Sequence, residues 1–326
     1  MASLLLLMSL SPISVVSLPL SFDSVDALMA AQANGTFNQS GSLSISLQPG
    51  IYALSETLLL SAPTVELVGA GPGVELRCAN APSAIVINAT SNLLLRGLLI
   101  SHCSGAVAVQ MTSAGGSIGR RSNVTLDSMN LNDNSNGAVT LVAAHADVTW
   151  LNCRFANNTC SSAVSGCKHA LSVTLVQSGT MALDHVSLNG NGQPSSSYSA
   201  MQLICSNGPS TCRLGVINST FESNLSDESN PTIAITGFGS ATVNESSFVS
   251  NEGSSTLSFT HASVDITPSE GAGADGAYDI QIVRSIFTGN KVGSSSTLSF
   301  VACGMALVRN TSFGGNVASF ASQVDV

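Results

Sequence analysis

The chain predicts an all-β fold, a parallel β-helix of about 9–11 coils, and three observations carry that expectation. First, a short phrase recurs: Leu131-Asn-Asp-Asn134, Phe155-Ala-Asn-Asn158, Leu188-Asn-Gly-Asn191, Phe221-Glu-Ser-Asn224, Phe248-Val-Ser-Asn251, Phe287-Thr-Gly-Asn290 and Phe313-Gly-Gly-Asn316, with Ile100-Ser-His-Cys103 as a degenerate first copy. Its anchors lie 31, 24, 33, 33, 27, 39 and 26 residues apart, the size of one coil in a stacked solenoid. Second, the segments between anchors alternate apolar and polar residues, as in Gly105-Ala-Val-Ala-Val109, Gly137-Ala-Val-Thr-Leu141, Ser255-Thr-Leu-Ser-Phe259 and Ser296-Thr-Leu-Ser-Phe300. Period-two alternation marks half-buried strands. Third, helical spacing never persists beyond about a turn along the repeats.

Taken from the N-terminus, residues 1–22 are almost wholly apolar and uncharged, with Leu4–Met8 opening an apolar run and Val15-Val16-Ser17 offering a small residue for cleavage. This reads as a signal peptide. Pro12, Pro19 and the interspersed serines argue against a spanning helix, and no later segment has eighteen consecutive apolar residues. No membrane span is therefore expected in the mature chain. Residues 23–42 form a capping lead-in, with a short helix expected over Asp23–Ala33. Residues 43–326 are a single solenoid domain.

In a stacked helix each strand lies about 4.8 Å from its copy in the next coil. Aligned residues then form interior rows of Val, Leu and Ile and a row of Phe and Leu anchors. The Asn three places after each anchor falls where the chain turns. Asn tolerates the left-handed conformation, and its amide can bond neighbouring backbone. Asn134, Asn158, Asn191, Asn224, Asn251, Asn290 and Asn316 are therefore read as a structural ladder, not a binding row. The uneven spacing places protruding loops at Gly115–Asn123, Asn158–His169, Gly192–Ser199 and His261–Asp279, where function would sit on a rigid scaffold.

Composition excludes some functions. Charged residues make up 9% of the chain, with 10 Lys+Arg against 19 Asp+Glu and a net charge of −9. So acidic a chain is a poor partner for nucleic acid or anionic membrane, leaving glycans and cell-surface proteins as partner classes. With 55 serines, aliphatics must build the core, because only 1 Trp, 3 Tyr and 11 Phe are present.

Eight cysteines and nine Asn-x-Ser/Thr sequons agree with an extracellular destination. Cys160 with Cys167 and Cys205 with Cys212 are spaced to close local loops, and Cys78 with Cys103 is one coil apart. Cys153 and Cys303 are then left over. Glycosylation is expected at Asn34, Asn38, Asn88, Asn123, Asn157, Asn218, Asn244 and Asn310, whereas the ninth sequon, Asn224, is a ladder position and should stay bare.

At these residues the sequence resembles known families. The Phe-x-x-Asn phrase followed by Gly/Ser-Ala-Val resembles the polymorphic outer-membrane protein (Pmp) repeats, which build single-stranded right-handed β-helices. Ile45-Ser-Leu-Gln-Pro-Gly-Ile-Tyr-Ala-Leu-Ser-Glu-Thr-Leu-Leu-Leu60 and Val65-Glu-Leu-Val-Gly-Ala-Gly-Pro-Gly73 are similar to the opening coils of pectin-lyase-like proteins. Together the resemblances cover about residues 43–317. The small doublet here is Ser/Gly-Ala or Ser-Thr instead of Gly-Gly-Ala, and no membrane barrel follows. Autotransport therefore does not carry over.

The pectin-lyase-like resemblance implies a polysaccharide lyase or hydrolase as one reading. Hydrolysis needs carboxylates meeting on one face, and calcium-assisted elimination needs an acidic metal cluster and a base. Asp127 and Asp184 both lie four before their anchors, but the intervening coil has Leu151 there; Asp133 is followed by Asn157 in the next coil. Asp184-His185 and Lys168-His169 come closest to a reactive set. Asp265, Glu270, Asp275 and Asp279 offer calcium only a loose loop whose spacing matches no compact site. No metal centre or other cofactor is expected. The sequence thus favours a secreted, non-catalytic β-helix with a structural, adhesive or glycan-recognising role, with a carbohydrate-active enzyme using Asp184, His185 and Lys168 as the alternative.

Overall fold

The computed structural model describes residues 20–111, 121–160, 169–193, 199–206, 212–260, 280–293, 296–301, 303, 306–318 and 324–325. They form a right-handed parallel β-helix. The chain visits three long sheets in fixed order: Gly179–Asp184 lies in the first, Ser187–Asn189 in the second and Met201–Cys205 in the third, before Cys212–Ile217 re-enters the first. The second and third sheets each hold 10 strands, so ten coils stack. The first sheet has 11 because Leu20–Phe22 pairs alongside Ile45–Leu47. Leu20–Phe22, the last residues of the expected leader, thus add a strand to the ladder.

Pairing between coils stays in register although the repeat length varies. The anchors Ile100, Leu131, Phe155, Leu188, Phe221, Phe248, Phe287 and Phe313 stand one on another. Tyr52 and Leu76 extend the column by two coils that lack the Asn phrase. The extra residues are absorbed in the connections, because a one-residue slip would turn every buried side chain of a strand outward. Phe248 stacks on Phe221 and Phe287 with ring centroids 4.8 and 4.5 Å apart and planes within 3°.

Two columns of single left-handed residues turn the chain. Ser128, Asn152, His185, Asn218, Glu245, Arg284 and Asn310, with φ between 49° and 55°, link the first sheet to the second. His102, Asp133, Asn157, Ser223 and Ser250, with Gly190, Gly289 and Gly315, link the second to the third. This corrects the sequence reading of the turn: the left-handed residue is the one before each ladder Asn, and the Asn itself has ordinary negative φ. One αL residue redirects a strand without lengthening the coil, and the next side chain is thereby aimed inward.

The helix Val25–Ala33 covers the N-terminal end of the solenoid. Ser24 caps it by accepting the Ala27 N–H at 3.4 Å, and Leu28 is fully buried. Gln32 fastens it to the first coil, donating to Thr57 O at 3.0 Å and accepting the Leu59 N–H at 2.7 Å. A capping element of this kind closes the end of a repeat array against water.

Candidate functional site

The ladder asparagines are interior groups. Asn134, Asn158, Asn191, Asn224, Asn251 and Asn290 have 0% exposure, and Asn316 in the last coil is half-buried. Each Nδ2 donates to the anchor carbonyl of the preceding coil, as Asn224 to Leu188 O at 3.1 Å and Asn251 to Phe221 O at 2.9 Å. From Asn134 to Asn290, each Nδ2 also donates to the Oδ1 of the next Asn, and the backbone N–H of the same residue donates to that oxygen. An interior ladder amide thus uses both donors and both lone pairs, which leaves it no capacity for a ligand. Cys103 takes the place of Asn in the third coil, its N–H donating to Asn134 Oδ1 at 3.0 Å.

Of the reactive candidates, Asp184 and His185 lie on the outer surface, whereas His169 is buried with its Nδ1 3.2 Å from Ser199 O. Asp184 ends a first-sheet strand and His185 is the turn residue after it; His185 Nδ1 and Asp184 Oδ1 are 2.8 Å apart, with side chains 57% and 39% exposed. Leu151 and Ile217 flank Asp184 in the adjoining coils, and Asn152 and Asn218 occupy the turn positions beside His185. Asp127 is in register with Leu151 and is held by Arg96 at 2.9 Å and by the Ser128 hydroxyl at 2.9 Å. Asp133 accepts from Asn157 Nδ2 at 3.2 Å. Among the described residues no three His, Cys, Asp or Glu side chains gather as a metal-binding group. Lys168, Cys167 and the acidic loop from His261 to Asp279 lie outside the described residues.

Most described basic groups clamp one coil to another or brace a strand: Arg77 to Glu75, Arg96 to Asp127, Arg121 to Asp147, Arg284 to Glu245 and Lys291 to Glu252, at 2.6–3.1 Å. Burial alone would raise the Glu75 carboxyl, but bonds from the Ser101 hydroxyl and the Arg77 guanidinium outweigh it and hold the group below the usual carboxylate range.

Charge is segregated between the sheets. First-sheet strands carry Glu66, Arg96, Asp127, Asp147, Asp184, Arg213 and Arg309. The nine third-sheet strands from Leu58–Ser61 to Leu298–Val301 contain no Asp, Glu, Lys, Arg or His. Their outward residues form two files running along the helix axis. One carries Thr140, Ser172, Gln202, Ala234 and Ser258; the other carries Val142, Thr174, Ile204, Thr236 and Thr260. Thr140 and Val142 are exposed and the rest half-buried. Sequence alternation marks these residues as outward but does not say that they share a face; that requires the register.

The structure joins Cys78 to Cys103 between neighbouring coils and Cys205 to Cys212 across a connection from third to first sheet. Cys160 is also disulfide-bonded. Cys153 is a buried thiol at the first turn, in a column where Ser219, Ser246 and Ser285 form a second, hydroxyl ladder. Of the sequon asparagines, Asn34, Asn38, Asn88, Asn123, Asn157, Asn218 and Asn310 are exposed, Asn244 is half-buried and Asn224 is fully buried.

No protein-family model and no curated protein sequence matches the chain. Among solved structures it is similar to an alginate lyase from Paenibacillus sp. str. FPU-7, at 12% identity over 94% of this chain and 97% of that one, with a TM-score of 0.36. It is also similar to the A-modules of two Azotobacter vinelandii mannuronan C-5 epimerases. AlgE4 shows 12% identity over 92% and 93% of the two chains with a TM-score of 0.32, and AlgE6 shows 11% over 92% and 93% with 0.28. The fold assignment rests on the strand registers and not on these similarities.

Proposed function

We propose that the chain is an extracellular, non-catalytic β-helix that recognises glycans, acting as an adhesive or structural component at the cell surface or in the matrix. The observation that supports this reading is the outward face of the third sheet, with uncharged side chains on every strand from Leu58–Ser61 to Leu298–Val301. Hydroxyl and amide groups there can donate and accept hydrogen bonds, while Val142, Ile204 and the threonine methyl groups supply apolar contact. The ladder and strand pairing fix the backbone beneath, so little ordering entropy is lost on binding. Weak contacts repeated coil after coil then add up along an extended ligand. The disulfides suit an oxidising, extracellular setting.

A carbohydrate-active enzyme is the second reading, favoured by the 2.8 Å contact of Asp184 with His185. That pair would have to supply both acid and base from a turn where both side chains are open to water. The deciding experiment incubates the secreted protein with uronate and neutral polysaccharides, with and without calcium. Retained binding without new chain ends is the expected outcome. Unsaturated or reducing ends would overturn the non-catalytic reading.

A further inference from the structure

We infer that the ligand of the third sheet is an uncharged polysaccharide lying along the helix axis, across the strands, and that polyuronates are not bound there. The inference rests on the glycan-recognising reading above and adds to it the chemical class and the path of the ligand.

Two independent observations lead to it. The first is electrostatic. A polyanion needs cationic side chains on the face that holds it, and the third-sheet strands from Leu58–Ser61 to Leu298–Val301 have none. Five of the basic groups elsewhere are already held by carboxylates, and the net charge of −9 repels an anionic chain at a distance. A neutral sugar meets no such barrier. Its hydroxyls both donate and accept, as do those of Thr140, Ser172 and Thr174 and the amide of Gln202, and its C–H faces can rest on Val142 and Ile204. Because each file repeats once per coil, about every 4.8 Å, a polymer along the axis meets similar groups at regular intervals.

The second observation is where the sequons fall. Asn123 and Asn244 lie on the first sheet, Asn218 and Asn310 at the first turn, Asn157 at the second, and Asn34 and Asn38 beside the N-terminal helix. Among the described third-sheet strands a sequon asparagine occurs only in Ser83–Ala89, as Asn88 in the file that runs through Gln110 to Val142, so no N-glycan acceptor lies on the strands from Gly105–Met111 to Leu298–Val301.

The test measures depletion of the full-length secreted protein by insoluble cellulose, chitin and β-1,3-glucan, and its retardation by alginate and polygalacturonate, at low and high salt. Thr174→Glu and Thr236→Glu place charge on the face, and Thr125→Glu places it on the outward side of the first sheet as a control. Buried Trp150 emission reports whether each variant is folded. The expected result is salt-insensitive binding of at least one neutral polymer, weakened about tenfold or more by either third-sheet variant, roughly 1.4 kcal/mol, and unchanged by Thr125→Glu. Salt-sensitive binding to polyuronates, or binding indifferent to Thr174→Glu and Thr236→Glu, overturns the inference and leaves glycan recognition standing. Binding to no polysaccharide overturns both.

Discussion

Asn224 and Asn251, 27 residues apart in sequence, share one amide oxygen: Asn251 Oδ1 accepts the Asn224 side-chain N–H at 3.0 Å and its backbone N–H at 3.0 Å. Neither donor reaches water, since both residues are fully buried. Asn is the side chain that meets this demand, because it carries a double donor and a double acceptor on a stem short enough to fit between coils.

Replacing Asn224 with Ala would leave the Asn191 backbone and side-chain N–H groups without their acceptor. Each orphaned buried group costs about 1–3 kcal/mol, so a loss on the order of 3–5 kcal/mol is expected by chemical denaturation. Asn224→Asp should be pH-dependent. The carboxylate would face Leu188 O and Asn251 Oδ1 with no proton to donate, so its folded pKa must rise above the unfolded value of about 3.9. A raised folded pKa gives stability that is present below the unfolded value and lost as pH rises. The variant should therefore approach the parent near about pH 4 and fall away towards neutrality. Equal losses at both pH values would deny the donor role assigned to Nδ2.

The same burial bears on glycosylation. Asn224 heads a valid sequon, but a glycan on Nδ2 would remove a donor from the ladder and cannot be housed between coils. Glycopeptide mapping of folded, secreted protein should find Asn224 bare, with sugar among the exposed sites such as Asn218. Full occupancy at Asn224 would be incompatible with the register of the ladder.

Much of the architecture was legible from Phe221, Asn224 and their copies, because the anchor and the Asn each answer a demand that recurs in every coil. Tyr52 and Leu76 head coils that stack as well but carry no Asn, so the first two coils escape a search for the phrase. The turn was misplaced by one residue because the left-handed position tolerates His102, Asp133, Ser223 and Ser250 alike and so leaves no sequence signature. The uncharged third face was hidden for another reason. Thr140 and Ser172 are 32 residues apart and Ser172 and Gln202 are 30, and only register makes them neighbours.

Cys153 offers a pH test of the interior. Burial pushes its thiol up to about 11, so it should resist alkylation of the folded protein at pH values where an exposed thiol of pKa about 8.5 reacts. Because the folded pKa is the higher one, this contribution to stability is complete below about pH 8.5 and is lost as pH climbs towards 11. Denaturation midpoints across that range should fall for the parent and fall less for Cys153→Ala. Rapid labelling of the native protein would place the thiol at the surface.

His185 separates a turn residue from a catalytic one. Its φ of 54° costs an L-residue about 1–2 kcal/mol, which glycine avoids. Glycine adds unfolded-chain entropy of roughly 0.5–1 kcal/mol, and the lost contact with Asp184 joins two exposed groups and is worth at most about 1 kcal/mol. His185→Gly should therefore stay within about 1 kcal/mol of the parent, whereas β-branched His185→Val should lose about 1–2 kcal/mol or more from strain. Polysaccharide binding should be the same for the glycine variant and the parent, because His185 lies at the turn from first to second sheet, away from the uncharged third face. A glycine variant that folds normally but no longer binds or processes polysaccharide would move the site to Asp184 and His185.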